Sequence, residues 1–132
     1  MFLNICSINI RSLIPKLDEL KKVIADNNYD IIAIQESWLT KDNTKFAKVK
    51  GYKTIATTPS TRKGSGVLFF VKDNLSTKTI KTVNLKDNIE MILIKIEKVN
   101  RLGHIYLANT YIHPTGNADS IDLLTNELKN FK

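Results

Sequence analysis

The sequence predicts an α+β fold in which helices flank a mixed β-sheet. Residues 2–35 read as a strand–helix–strand unit, because two apolar runs bracket a stretch of helical periodicity. Short strand-like segments then follow one another between residues 52 and 112, and an amphipathic stretch comes last. With 132 residues, 42% of them hydrophobic and 25% charged, the composition suits one globular domain.

The first part of this unit is an apolar, isoleucine-rich segment over residues 2–10, which predicts a strand. Pro15 stands where a helix would begin, a position at which its missing N–H costs nothing. Apolar residues then recur at helical spacing, namely Leu17, Leu20, Val23 and Ile24. The pair at residues 27–28 predicts the helix end, because asparagine tolerates the left-handed conformation.

The second strand is predicted over residues 31–35, where four consecutive apolar residues indicate burial on both faces. Strand–helix–strand crossovers are nearly always right-handed and parallel. Asn9, near the end of the first strand, and Glu36, just after the second, are therefore expected at one edge of one sheet. A carboxylate there lies where α/β proteins bind ligands, although a solvated glutamate is also a common way to end a strand.

Five further strands and a second helix are predicted in the rest of the chain. The turns between neighbouring strands are short, which favours antiparallel hairpins. The strands are expected over residues 52–57, 67–71, 78–83, 90–97 and 104–112, and the helix over residues 120–131 with Ser120 or Asp119 as its cap. Two helices cover only part of such a sheet, so an uncovered apolar face is expected.

The sequence predicts an intracellular location. No stretch of 18 apolar residues occurs, so a transmembrane helix is not expected. The first nine residues lack a basic region, which argues against a secretory signal. Cys6 is the single cysteine and lies in an apolar run, so it is expected to be a buried, unreactive thiol in an intracellular, reducing compartment.

The net charge of +7 is concentrated in the middle of the chain. Residues 41–86 carry 11 basic and 2 acidic side chains, a net charge of +9, whereas the segments on either side each carry −1. A basic segment beside a carboxylate site predicts a polyanionic partner, of which nucleic acid is the commonest. The alternative is that these lysines only keep the protein soluble.

Four stretches, in this order and spacing, resemble the endonuclease/exonuclease/phosphatase superfamily. They are SINIRSL with KLDEL after it (residues 7–20), DIIAIQESWL (30–39), GSGVLFFVK (64–72) and LANTYIHP (107–114). More narrowly, they resemble the apurinic-apyrimidinic-endonuclease-like domain at the N-terminus of non-long-terminal-repeat retrotransposon polyproteins. The Arg-Ser-Leu opening and the Ser-Trp-Leu after Glu36 favour this branch.

The resemblance implies the N-terminal half of a four-layer α/β/β/α sandwich, similar to deoxyribonuclease I. Residues 1–132 would then be a single incomplete domain with the C-terminal half absent. The family's Gly-Asp-Phe-Asn and Ser-Asp-His segments, which orient the attacking water and assist catalysis, do not occur in this sequence. The chain is accordingly expected to hold about one of the two sheets, to fold poorly alone and to be inactive alone.

The resemblance also implies Mg²⁺-dependent phosphodiester hydrolysis, with Mn²⁺ as an alternative metal. Glu36 would bind the metal, Asn9 would help to hold the phosphate or the carboxylate, and Tyr111 would donate a hydrogen bond to a phosphate oxygen. The substrate would be DNA in the nucleus, nicked to expose a 3′-hydroxyl that primes reverse transcription. The predicted nucleic-acid-binding residues are Arg11, Arg62 and Lys63.

Two alternatives to this function stay open from the sequence. One is a decayed copy that folds partly and only binds polyanions through residues 41–86. The other is a phosphodiesterase from another branch of the superfamily, acting on phosphoinositides or other small phosphodiesters. His104 begins a predicted strand and is expected to be structural, and His113, which follows Tyr111 in the fourth stretch, is not expected to be the catalytic base.

Overall fold

The computed structural model describes residues 3–57, 59, 64–86, 88–100, 103–114 and 118–129. The strands are β1 (Ile5–Asn9), β2 (Ile31–Gln35), β3 (Tyr52–Ala56), β4 (Val67–Lys72), β5 (Thr77–Lys86), β6 (Ile89–Asn100) and β7 (Gly103–Ile112). The helices are α1 (Leu17–Asn27) and α2 (Ala118–Lys129), and short 3₁₀ turns lie at Ile14–Lys16 and Thr44–Phe46.

The first sheet has the strand order β1-β2-β4-β3. Strands β1 and β2 are parallel and joined through α1, as the sequence predicts, and Asn9 is the register partner of Gln35. Strand β4 runs antiparallel to both β2 and β3. Its first residue therefore lies at the edge of the sheet where β2 ends, and its last residue lies at the opposite edge.

The second sheet is an antiparallel meander of β5, β6 and β7. The expected antiparallel hairpins are confirmed here. The expectation that the chain holds about one sheet is wrong, because its strands divide between two sheets. Sequence periodicity identifies a strand but not its partner, so the division could not be read from the segments alone.

Three apolar clusters stack the elements into four layers. The first joins α1 to the outer face of the first sheet, where Leu20 and Ile24 pack with Phe70. The second fills the space between the two sheets, with Phe69 from one and Ile94 from the other. The third packs α2 on the outer face of the second sheet: its members are Val83, Ile89, Met91 and Leu93, with Ile112, Leu124 and Leu128.

The predicted four-layer α/β/β/α sandwich is thus confirmed, and both of its sheets have strands from this chain. The inner strand β4 is fully buried from Val67 to Val71, as expected for a strand covered on both faces. Each sheet covers one face of the other, so the large uncovered apolar face expected from a single sheet is reduced to exposed side chains such as Ile5 and Ile8 on the edge strand β1.

Both helices depart slightly from their predicted ends. Pro15 lies in the 3₁₀ turn before α1 rather than at its first residue, whereas Asn28 ends the helix in the left-handed conformation, with φ 51°, as predicted. Helix α2 begins at Ala118, before the two predicted cap positions Asp119 and Ser120, so its predicted start is one to two residues too late. No helix of the described residues is long and apolar enough to cross a membrane.

Candidate active site

The candidate site lies at the edge where β2 ends, and Glu36 is the first residue after that strand. Its backbone adopts φ 53°, a left-handed conformation that few residues other than glycine adopt. The carbonyl oxygen of Glu36 accepts a hydrogen bond from the Ser12 N–H at 2.9 Å, and that of Gln35 accepts one from Ile10 at 3.0 Å. The segment after β1 therefore holds one side of the Glu36 backbone.

The segment before β4 holds the other side. The Ser37 N–H donates to the carbonyl oxygen of Gly66 at 3.0 Å, and the Trp38 N–H donates to that of Ser65 at 2.9 Å. Gly66 has φ 106°, and a Cβ atom added to it would lie 2.2 Å from the Ser37 Oγ. Only glycine fits here, because the backbone conformation and the close approach each exclude a side chain.

Tyr111 lies near the end of β7 and contacts Glu36. Burial, the charge of the Glu36 carboxylate and a hydrogen bond to it raise the pKa of the Tyr111 phenol above 10.0. The charge of Glu90 adds to this rise in pKa, and the positive charge of Arg11 opposes it. The phenol is therefore protonated at neutral pH and can donate a hydrogen bond.

Asn9 is at the same edge, as predicted, but in a more open position. It is the register partner of Gln35 on the neighbouring strand, which places its backbone one residue from the level of Glu36. Asn9 is exposed, whereas Glu36 and Tyr111 are half-buried. The structure thus brings Glu36 and Tyr111 into contact and leaves Asn9 beside them, open to solvent.

One of the three predicted nucleic-acid-binding residues can be located. Arg11 is exposed, has φ 48°, and is close enough to lower the pKa of Tyr111. Arg62 and Lys63 lie outside the described residues.

The basic segment does not gather at this edge as a whole. The Lys72 Nζ lies 3.2 Å from the Asp30 carboxylate, at the opposite edge of the first sheet. The Lys53 Nζ donates to the carbonyl oxygen of Leu75 at 2.7 Å, also at the end of β4 away from Glu36. A count of charge along the sequence therefore overstates the positive charge beside the site.

A buried pair behind the site, Glu90 and His113, is not among the predicted site residues. The His113 Nε2 lies 3.0 Å from the Glu90 Oε1, and the two side chains are 4% and 2% exposed. Both carboxylate oxygens of Glu90 accept the Gly66 N–H at 2.9 Å. A sequence signal for Glu90 exists, because it continues the period-two pattern of isoleucines in β6 onto a buried face.

A second polar cluster, also not predicted, ties the two sheets together. Asn109 on β7 is 2% exposed, and its Nδ2 donates to the carbonyl oxygens of Ile34 at 3.0 Å and Leu68 at 2.8 Å. The Gln35 Nε2 donates to the Asn109 Oδ1 at 2.7 Å and to the Ser7 Oγ at 3.1 Å. These bonds fix the position of β7, and with it Tyr111, relative to the end of β2.

The residues at this edge fit a hard divalent cation that is held largely by water and substrate. Glu36 offers a half-exposed carboxylate, and Mg²⁺ commonly takes only one or two protein carboxylates and completes its shell with water and phosphate. No group of three or more His, Cys, Asp or Glu side chains suited to a metal occurs among the described residues. Among the described residues at the end of β2, Glu36 is therefore the candidate metal ligand.

The sequence matches the endonuclease/exonuclease/phosphatase family over residues 3–130. Since the match spans nearly the whole chain, the protein belongs to this family. The edge that carries Glu36 and Tyr111 is therefore part of a nuclease or phosphatase type of fold. A comparison with curated proteins finds no match.

Three solved structures illustrate the likeness in fold. The endonuclease domain of TRAS1, a telomere-specific non-LTR retrotransposon, is 18% identical with a TM-score of 0.71, over 96% of this chain and 53% of that one. The AP endonuclease LMAP of Leishmania major is 15% identical with a TM-score of 0.62, over 96% and 44%. TDP2 of D. rerio, complexed with a single-strand DNA product, is 12% identical with a TM-score of 0.68, over 98% and 56%.

At these identities the likeness concerns the fold. This chain spans about half the length of each of the three structures, with 53%, 44% and 56% of them covered.

Proposed function

We propose that this chain is part of a Mg²⁺-dependent endonuclease domain that nicks DNA, as in the polyproteins of non-long-terminal-repeat retrotransposons. The observation that carries the proposal is the contact, at the end of β2, between the carboxylate of Glu36 and the phenol of Tyr111 from the other sheet. Family membership and the fold of the TRAS1 endonuclease domain support it. Its target would be DNA in the nucleus.

In this proposal Glu36 holds the metal, and Mn²⁺ is an alternative to Mg²⁺. The metal, when bound, polarises the scissile phosphate and stabilises the leaving oxygen. Tyr111 donates a hydrogen bond to a phosphate oxygen as negative charge develops there. Asn9 is exposed at the same edge and helps to hold the phosphate or the Glu36 carboxylate.

Arg11 supports DNA as the substrate, because it is exposed, is close enough to lower the pKa of Tyr111, and carries a guanidinium that can pair with a phosphate. Arg62 and Lys63 would extend this contact along the DNA backbone. Contacts of this kind position the DNA without reading its sequence. They would also make binding weaken as salt is raised.

The residues that orient the attacking water are proposed to come from a further half of the same domain. Strands β1 and β7 each lie at the end of their sheet among the described residues, and together they line a groove of about 260 Å³. Ile5 and Tyr106 on these strands are exposed, at 43% each. Further strands pairing along both edges would cover them and complete the catalytic centre.

The experiment that tests the proposal compares substrates. The protein used is the longest polypeptide encoded by the open reading frame that contains this chain. It is incubated separately with supercoiled plasmid and with phosphoinositides, each in Mg²⁺ and in EDTA. Conversion of the plasmid to open circles in Mg²⁺ but not in EDTA, without release of inositol phosphates or phosphate from the lipid, is the expected result.

Each other result replaces the proposal by a named alternative. Release of inositol phosphates or of phosphate from phosphoinositides, without nicking, would indicate another branch of the superfamily. A reading frame that stops before the missing segments, with plasmid retarded at low salt but never nicked, would indicate a decayed remnant that binds polyanions.

A further inference from the structure

The pair Glu90 and His113 is buried behind the candidate site and takes no part in the proposed chemistry. Burying a carboxylate and an imidazole is costly unless both are hydrogen-bonded. Here the Nε2 of His113 lies 3.0 Å from Glu90, and the Gly66 N–H reaches both oxygens of the same carboxylate at 2.9 Å. A pair that is costly to bury, yet hydrogen-bonded in this way, is a candidate for a structural or functional role.

The first connection runs from Glu90 to Glu36 through the backbone. The carboxylate of Glu90 accepts a hydrogen bond from the N–H of Gly66, and the carbonyl oxygen of Gly66 accepts one from the N–H of Ser37 at 3.0 Å. Ser37 directly follows Glu36, whose left-handed φ of 53° must be maintained by its neighbours. Loss of the Glu90 bonds would release Gly66 and, with it, one of the two segments that hold Glu36.

The second connection runs from His113 to Tyr111. The two rings are perpendicular, with an interplanar angle of 82° and centroids 4.9 Å apart. Tyr111 is also the register partner of Glu90 across the β6–β7 pair. The imidazole, itself fixed by Glu90, thus packs on the phenol that contacts Glu36.

We propose that Glu90 and His113 are positioning residues, which hold Glu36 through Gly66 and hold Tyr111 through the imidazole ring. The proposal rests on the proposed function only in taking Glu36 and Tyr111 as the metal-binding and phosphate-binding pair. Positioning matters because catalytic groups must be held within about 0.5 Å of their productive geometry. One buried pair would maintain that geometry for two residues that lie on different sheets.

Three variants separate hydrogen bonding from packing. Glu90→Gln keeps the size of the side chain and one acceptor oxygen but removes the charge. His113→Phe keeps a ring against Tyr111 but cannot donate to Glu90. His113→Gln is the control for the hydrogen bond alone, since its side-chain amide can still donate to Glu90 but no ring packs on Tyr111.

The first measurement is amide hydrogen exchange by NMR on the whole chain, with the melting temperature recorded for each variant. In Glu90→Gln and His113→Phe we expect exchange at Ser37 and Trp38 to accelerate about fivefold to tenfold, while amides of β6 exchange as before. His113→Gln should keep the wild-type rates. A role confined to overall stability would accelerate all these amides together.

The second measurement is the broadening of the Glu36 and Tyr111 resonances by Mn²⁺. We expect Glu90→Gln and His113→Phe to need about threefold to tenfold more Mn²⁺ for the same broadening of the Glu36 resonance. His113→Gln should match the wild type at Glu36 but shift the Tyr111 resonance, because it lacks the ring that packs on the phenol. Absence of broadening in every protein, the wild type included, would contradict the proposed metal role of Glu36. The exchange rates would still decide the positioning role.

Unchanged exchange at Ser37 and Trp38 in both disruptive variants would overturn the inference. Uniform acceleration at all amides, with an equal loss in melting temperature, would overturn it as well. If His113→Phe fails to fold, Glu90→Gln against the wild type decides, because that variant preserves the shape of the buried side chain.

Discussion

At the scale of single residues, Tyr111 is the side chain whose chemistry the site changes most clearly. Burial and the Glu36 carboxylate raise the pKa of its phenol above 10.0. A phenol with a raised pKa stabilises the folded state below pH 10, and this contribution is lost as pH rises through the folded-state pKa.

The prediction from this shift concerns alkaline pH. We expect Glu36→Gln to lower the pKa of Tyr111 towards 10.0, because it removes a charge that disfavours the phenolate. Absorbance at 295 nm against pH, with Tyr111→Phe to identify the signal, measures it. An unchanged titration in Glu36→Gln would show that the two side chains are not in contact in solution.

Gly66 carries a second prediction at this scale. We expect Gly66→Ala to lower the free energy of unfolding by about 2–3 kcal/mol, from backbone strain at φ 106° and the approach of the Ser37 Oγ. Gly51→Ala is the matched control, since Gly51 has φ 85° but nothing within 4 Å of an added Cβ. Equal losses in urea unfolding would mean that the approach to Ser37 is unimportant.

Some site residues were predictable from the sequence and others were not. Glu36 follows an unbroken apolar run, so its place at a strand end is visible in the sequence. Glu90 lies on the face of β6 that also carries Ile92, Ile94 and Ile96 and that faces the other sheet. Its role depends on a hydrogen bond from the N–H of Gly66, which lies 24 residues earlier in the sequence. Local patterns do not reveal such a contact.

At the scale of elements, Asn109 links the two sheets. We expect Asn109→Ala to destabilise the protein by about 2–3 kcal/mol, because it removes hydrogen bonds to two strands and leaves Gln35 without a buried partner. Urea unfolding measures the loss. Asn27→Ala is the control, since its bond to the Val23 carbonyl is exposed and its loss should cost under about 0.5 kcal/mol. Similar costs for the two variants would contradict the linking role.

The elements themselves were largely predictable, because strand and helix periodicities differ. Strand β2 has the predicted bounds, whereas β5 and β6 extend beyond theirs. The partition of the strands between two sheets is not predictable from the sequence, because periodicity carries no information about which sheet a strand joins. The short connection between β4 and β5, which are only four residues apart, also gives no sign that the chain passes from one sheet to the other.

At the scale of the whole molecule, the structure removes one of the grounds for expecting poor folding. That expectation rested on the absence of half of the domain and on a single sheet with an uncovered apolar face, and the structure instead stacks three buried apolar clusters between four layers. We now expect the chain to unfold in a single cooperative transition. Calorimetry measures it, and a broad transition with dye binding at room temperature would support the original expectation.

The central claim is that Glu36 is the metal-binding carboxylate of a DNA-nicking domain. The measurement that tests it most directly is the initial rate of plasmid nicking in saturating Mg²⁺ by the longest encoded polypeptide, wild type against Glu36→Gln. The account predicts a loss of at least about a thousandfold in rate with an unchanged melting temperature. A Glu36→Gln rate within tenfold of the wild type would contradict the claim.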